Sequence, residues 1–97
     1  MHLSVIWSPT ARITYFNILE YLEVNWTRKE VRAFTSRTEE VLDLIQQNPM
    51  LFPYSKESNI HRCVLAKQVS LYYQVKPGEV ELLVFWDNRQ DPAKLDL

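Results

Sequence analysis

The sequence predicts an α+β domain of order β-α-α-β-β-β, an antiparallel sheet carrying an αα-hairpin packed on one face. Three observations predict it. Residues 60–92 read as three consecutive strands with short connections, so neighbouring antiparallel strands are expected. Residues 9–47 carry two apolar stripes at helical spacing, separated by few residues, which makes them an antiparallel pair. Ahead of both, Leu3, Val5 and Trp7 alternate with Ser4 as a short first strand.

Each element has a local cause. Ser8 can cap a helix whose first position is Pro9. From there Ala11, Tyr15, Ile18, Leu19, Leu22 and Trp26 form one stripe, predicting a helix to about Val24. Thr27 and Glu30 have the spacing of a capping box and start a second helix, predicted to about Gln47. Val31, Phe34, Thr38, Val41, Leu42 and Ile45 are its buried stripe, and Arg32, Arg37, Glu39, Glu40 and Asp43 its solvated face. Pro49 ends it. Leu51, Phe52 and Tyr54, broken by Pro53, are expected to fold back over an edge of the core.

Ile60–Ala66 is short and rich in apolar and β-branched residues, hence a strand. In the next, Val69, Leu71, Tyr73 and Val75 share one face, and Ser70, Tyr72, Gln74 and Lys76 the other. Lys76-Pro77-Gly78-Glu79 is a turn, with proline at the first central position and the chain's only glycine at the second. Val80–Trp86 is apolar on both faces after Glu81, as suits a central strand. The tail from Ala93 to Leu97 is read as a further helical turn.

At 97 residues the chain is expected to be a single domain over 1–97. Eleven basic and twelve acidic side chains leave a net charge of −1. Only the stretch from Lys56 to Lys76 leans positive, so extensive nucleic-acid binding is disfavoured. Cys63 is the only cysteine and is read as a buried small residue. No membrane-spanning run or signal-peptide core is present, and cytoplasmic residence is the expectation. Metal-ligand spacings, phosphate-cradling glycine loops and nucleophile elbows are missing, so no cofactor or metal is expected. His2 and His61 lie far apart, and His61 is read as an exposed strand residue.

With four phenylalanines, five tyrosines and three tryptophans, a single helical hairpin cannot cover every aromatic ring. Some of Tyr54, Tyr72, Phe85 and Trp86 are expected to stay exposed and, with Arg89, to meet a partner.

Taken in order, these pieces resemble the RelE/ParE superfamily of bacterial toxins over nearly the whole chain. The resemblance runs through Ser8 and Ala11, Ile18-x-x-Tyr21-Leu22, Phe34, Leu42-x-x-Ile45, Pro49, Arg62, Leu71-x-Tyr73 and Leu82–Phe85. It closes on Asp87-x-Arg89-Gln90-x-Pro92. The resemblance implies a growth-inhibiting toxin of a type II toxin–antitoxin pair, of the kind that serves plasmid stabilisation. A cognate antitoxin would silence it, and DNA would be met only through that antitoxin. Two activities compete. A ParE-like chain inhibits DNA gyrase and hydrolyses nothing. A RelE-like chain is an mRNA interferase, cutting message on the ribosome, and would draw its catalytic set from Arg62, Lys67, Asp87 and Arg89. The tail after Pro92 holds no histidine or tyrosine to serve as acid or base, which favours the ParE-like activity. A relic that only binds its antitoxin is a third alternative.

Overall fold

In the computed structural model, which describes residues 3–95 and 97, two helices pack on one face of a five-stranded mixed sheet. The strands are β1 (Ser4–Trp7), β2 (Tyr54–Ser55), β3 (Ile60–Ala66), β4 (Val69–Lys76) and β5 (Glu79–Asp87). The helices are α1 (Pro9–Asn25) and α2 (Arg28–Gln47), and a 3-10 turn, Pro92–Lys94, follows β5. Across the sheet the order is β1-β5-β4-β3-β2.

The helix signals act as their chemistry requires. Ser8 Oγ accepts from the Ala11 N–H at 3.0 Å and donates to the Leu83 carbonyl at 2.9 Å, tying the start of α1 to β5. At α2, Thr27 Oγ1 accepts from the Glu30 N–H at 3.2 Å, and Glu30 Oε1 accepts from the Thr27 N–H at 3.4 Å. Thr27→Ala removes the side-chain half of this box and leaves the backbone N–H bond to Glu30 in place. It is expected to cost about 1 kcal/mol, about 4–8 °C in Tm by thermal denaturation. The α2 stripe is buried at Phe34, Thr38, Val41 and Ile45, with Val31 and Leu42 packed against the core. Helix α1 buries Ala11 and Leu22 but leaves Ile13, Phe16 and Val24 exposed on the side away from the sheet.

Two features of the sheet differ from the expectation. The sheet is mixed, because β1 runs parallel to β5 from Ser4↔Glu79 to Trp7↔Leu82. That pairing joins residues some 75 positions apart, which no local turn signal announces; it makes β5 an interior strand. Second, the stretch after Pro53 supplies β2, a two-residue edge strand paired to β3 through Tyr54↔His61 and Ser55↔Ile60. The turn at Pro77-Gly78 is as expected, with Gly78 at φ +75°, a conformation costly for any side-chain-bearing residue.

Strand β5 carries a bulge that decides which way its end points. Tyr72 pairs with Val84 but Tyr73 pairs with Leu82, leaving Leu83 as the extra residue. Alternation from Val80 and Leu82 is thereby reset, and Phe85 turns into the core opposite Leu71. Phe85 is 2% exposed, stacked on Trp7 at a centroid distance of 5.2 Å and tilted on Tyr15 at 4.9 Å. Its N–H donates to Thr14 Oγ1 at 3.0 Å, so α1 satisfies the backbone where β1 has ended.

Candidate functional site

The expected partner surface divides. Phe85 does not belong to it, because the bulge buries the ring. Tyr54 is 52% exposed, and Tyr72 and Trp86 are part-exposed on the sheet face that the helices leave uncovered. The ridge of Ile13, Phe16 and Val24 on α1 adds an apolar surface that strand patterns could not reveal. Its signal was there in the sequence: α1 carries apolar residues around its whole circumference, whereas α2 confines them to one side.

Arg89 lies where β5 runs out, at the mouth of a cleft of about 380 Å³. Tyr21, Trp26 and Phe34 from the helical hairpin, Val69 from β4 and Phe85 from β5 give the cleft an apolar floor. Arg89 is held firmly at its rim. Its Nε donates to Asp87 at 3.0 Å and its Nη2 at 2.6 Å, while Nη1 donates to the Tyr21 hydroxyl at 3.0 Å. The guanidinium also lies over the Tyr21 ring, 4.8 Å from its centroid. Asp87 Oδ1 in turn accepts the Arg89 N–H at 2.9 Å, which fixes the local turn. Five donors less these three side-chain contacts leave free N–H groups facing solvent. Tyr21 is the partner that the sequence did not disclose; it lies 68 positions away.

Charge follows geometry. Hydrogen bonds from Arg89 hold the Asp87 carboxyl below the usual carboxylate range, and Asp87 with Tyr21 keeps Arg89 firmly protonated. A carboxylate so committed is a weak base.

Arg62 belongs to the other surface. It projects from β3 on the uncovered face, with Tyr72 as its cross-strand neighbour. Its Nε donates to Ser70 Oγ at 3.2 Å and its Nη2 to Asn88 Oδ1 at 3.5 Å, while Ser70 Oγ donates to Asn88 Oδ1 at 3.0 Å. Asp87 sits opposite Val69, on the core side, and Trp86 opposite Ser70, on the uncovered side. Of the four residues a RelE-like set would use, the fold joins Asp87 to Arg89 and places Arg62 across the sheet from them. Lys67 stands in the β3–β4 turn.

His61, Tyr73 and Cys63 are buried in the structure. His61 is 2% exposed, not an exposed strand residue: it shares the core-facing parity of Cys63 and Leu65, and that parity overrides its polarity. Its Nδ1 bonds the Phe52 carbonyl at 3.0 Å, and its ring stacks on Tyr73 at 4.9 Å. The Tyr73 hydroxyl donates to the Pro49 carbonyl at 2.8 Å, and burial pushes its pKa up. Burial also pushes the Cys63 thiol up, to about 11. Native protein at pH 8 is therefore expected to resist iodoacetamide, with Cys63 alkylated only after urea unfolding, as mass spectrometry will read. His2 lies outside the described residues. Among the described residues no group of three or more histidine, cysteine or acidic side chains is placed to hold a metal ion, and no helix is long and apolar enough to cross a membrane.

No family model matches the sequence, and no curated protein does. Solved structures do. A chain of the chromosomal ParDE TA system from P. aeruginosa aligns at a TM-score of 0.72 and 17% identity, covering 89% of this chain and 96% of that one. The YoeB dimer from Staphylococcus aureus gives 0.59 at 19% identity, covering 87% and 94%. A copper-bound mutant toxin from Helicobacter pylori gives 0.57 at 20% identity, covering 90% and 96%. The chain thus has the fold of the RelE/ParE toxins, as the sequence resemblance implied.

Proposed function

We propose that this protein is the toxin of a type II toxin–antitoxin pair, that a cognate antitoxin neutralises it, and that it acts in the ParE-like manner, by inhibiting DNA gyrase without hydrolysing a substrate. The observation that carries the second half is the division of the four candidate catalytic residues. Arg62 stands on the uncovered face with Ser70 and Asn88, whereas Asp87 is spent on Arg89, which also donates to Tyr21, at the cleft. RNA cleavage needs a base, an acid and cations around one phosphate. The higher TM-score with the ParDE chain than with YoeB, 0.72 against 0.59, agrees with this choice.

One observation keeps the RelE-like activity as a second reading: Arg62 and Tyr72 are direct cross-strand partners on the uncovered face. A cation beside a phenol is part of what a ribonuclease requires.

The antitoxin half is tested by co-expression with the product of the neighbouring reading frame. The ridge of Ile13, Phe16 and Val24 and the part-exposed rings of Tyr72 and Trp86 are surfaces for it to cover. Induction of the chain alone is expected to arrest growth, and co-expression to restore it with a complex that co-purifies. A soluble chain that neither arrests growth nor binds the neighbouring product contradicts the proposal.

A further inference from the structure

We propose that Arg62 is the centre of a carboxylate-binding site on the uncovered sheet face, and that its occupant is an acidic residue flanked by apolar ones in an extended segment of a partner protein. The inference goes beyond the toxin reading and does not rest on it, since it follows from the surroundings of one side chain.

Arg62 is fixed but, among the described residues, not neutralised. Its two acceptors, Ser70 Oγ and Asn88 Oδ1, are both neutral. Ser70 is fully buried, and its hydroxyl accepts from Arg62 and donates to Asn88. By contrast, Arg37, Lys76 and Arg89 each pair with a carboxylate, and among the described residues Arg62 has none within 4.0 Å. An exposed guanidinium oriented by neutral oxygens keeps its charge and several N–H donors for an incoming anion, and it is already ordered before binding.

The surroundings specify what carries the anion. Arg62 borders a groove of about 420 Å³ whose other walls include Tyr54, Ile60, Tyr72 and Leu95. One unmatched cation set among apolar and aromatic walls complements one carboxylate between apolar side chains. A nucleic-acid strand repeats its charge at every phosphate and gains affinity from several cations at once; among the described residues this groove is lined by a single cation, Arg62.

The test is a selection of random displayed peptides on the folded full chain at physiological salt, followed by fluorescence anisotropy of the labelled winners. Enriched peptides are expected to carry aspartate or glutamate between apolar residues. Replacing that acid by its amide should weaken binding about tenfold or more, a readout that leaves the protein unaltered. Arg62→Gln should weaken binding by a similar factor with unchanged melting, and Arg62→Lys should recover only part of it. Ser70→Ala, which frees the guanidinium, should weaken binding by a smaller factor. Failure to enrich any binder overturns the proposal, as do winners without an acid and winners indifferent to the amide replacement. A labelled uridine oligoribonucleotide bound through Arg62 more tightly than any acidic peptide also overturns it, in favour of a phosphate site. Because no arm reads growth arrest, this proposal and the toxin reading can fail separately.

Discussion

Phe85→Ala is expected to remove about 3–5 kcal/mol of stability, a large part of the about 5–15 kcal/mol that holds a domain of this size together. The ring is 2% exposed and touches both Trp7 and Tyr15, which come from β1 and α1, so its loss empties the junction of three elements. Tyr15 also stacks on Phe34, at 5.8 Å, so the cavity opens under α2 as well. Urea denaturation should show the midpoint lowered by about 2 M, given slopes of about 1–3 kcal/mol per molar. A change below about 1 kcal/mol would mean that the bulge at Leu83 does not turn Phe85 inward.

Arg89→Ala is expected to abolish growth arrest while the protein melts within about 4 °C of the unaltered chain. The small stability effect follows from exposure: the Arg89 side chain is 46% accessible, and solvent screens its pairing with Asp87. The large functional effect follows from preorganisation. Asp87 and Tyr21 fix the guanidinium at the cleft mouth from two sides, leaving outward N–H groups for a partner's carboxylate or carbonyl. Arg89→Lys should not rescue, because an ammonium cannot hold Asp87, reach Tyr21 and present a planar fork together. An Arg89→Ala protein that folds normally and still arrests growth removes Arg89 from the contact surface.

Elements set by neighbours in sequence were legible. Thr27 with Glu30, Pro77 with Gly78, and the alternation of Val69, Leu71, Tyr73 and Val75 each encode their structure within a few residues. What was not legible arises from distant pairing. The parallel docking of β1 on β5 is a tertiary event. Phe85 was counted among the four rings of which some were expected to meet a partner, because nothing in an unbroken apolar run marks Leu83 as the residue that bulges. His61 was assigned by its polarity, yet its strand parity with Cys63 and the waiting Phe52 carbonyl bury it.

The candidate site was legible only in part. Arg89 and Asp87 stand two positions apart and announce a pair. Tyr21 and the cleft beneath it exist only once α1 lies along β5. Arg62 was singled out by resemblance, but Ser70 and Asn88, which hold it, were not. Ser70 read as one polar residue of an outward face, and only the folded sheet places it between a strand arginine and a loop amide.

The central claim, a ParE-like toxin that hydrolyses nothing, is tested most directly by giving one purified preparation two substrates. Relaxed plasmid with DNA gyrase reads inhibition of supercoiling or accumulation of cleaved DNA; translating ribosomes read cleavage of bound mRNA. The account predicts that gyrase is inhibited and the message stays intact. Cuts at codons in the ribosomal A site, with supercoiling unaffected, would contradict it.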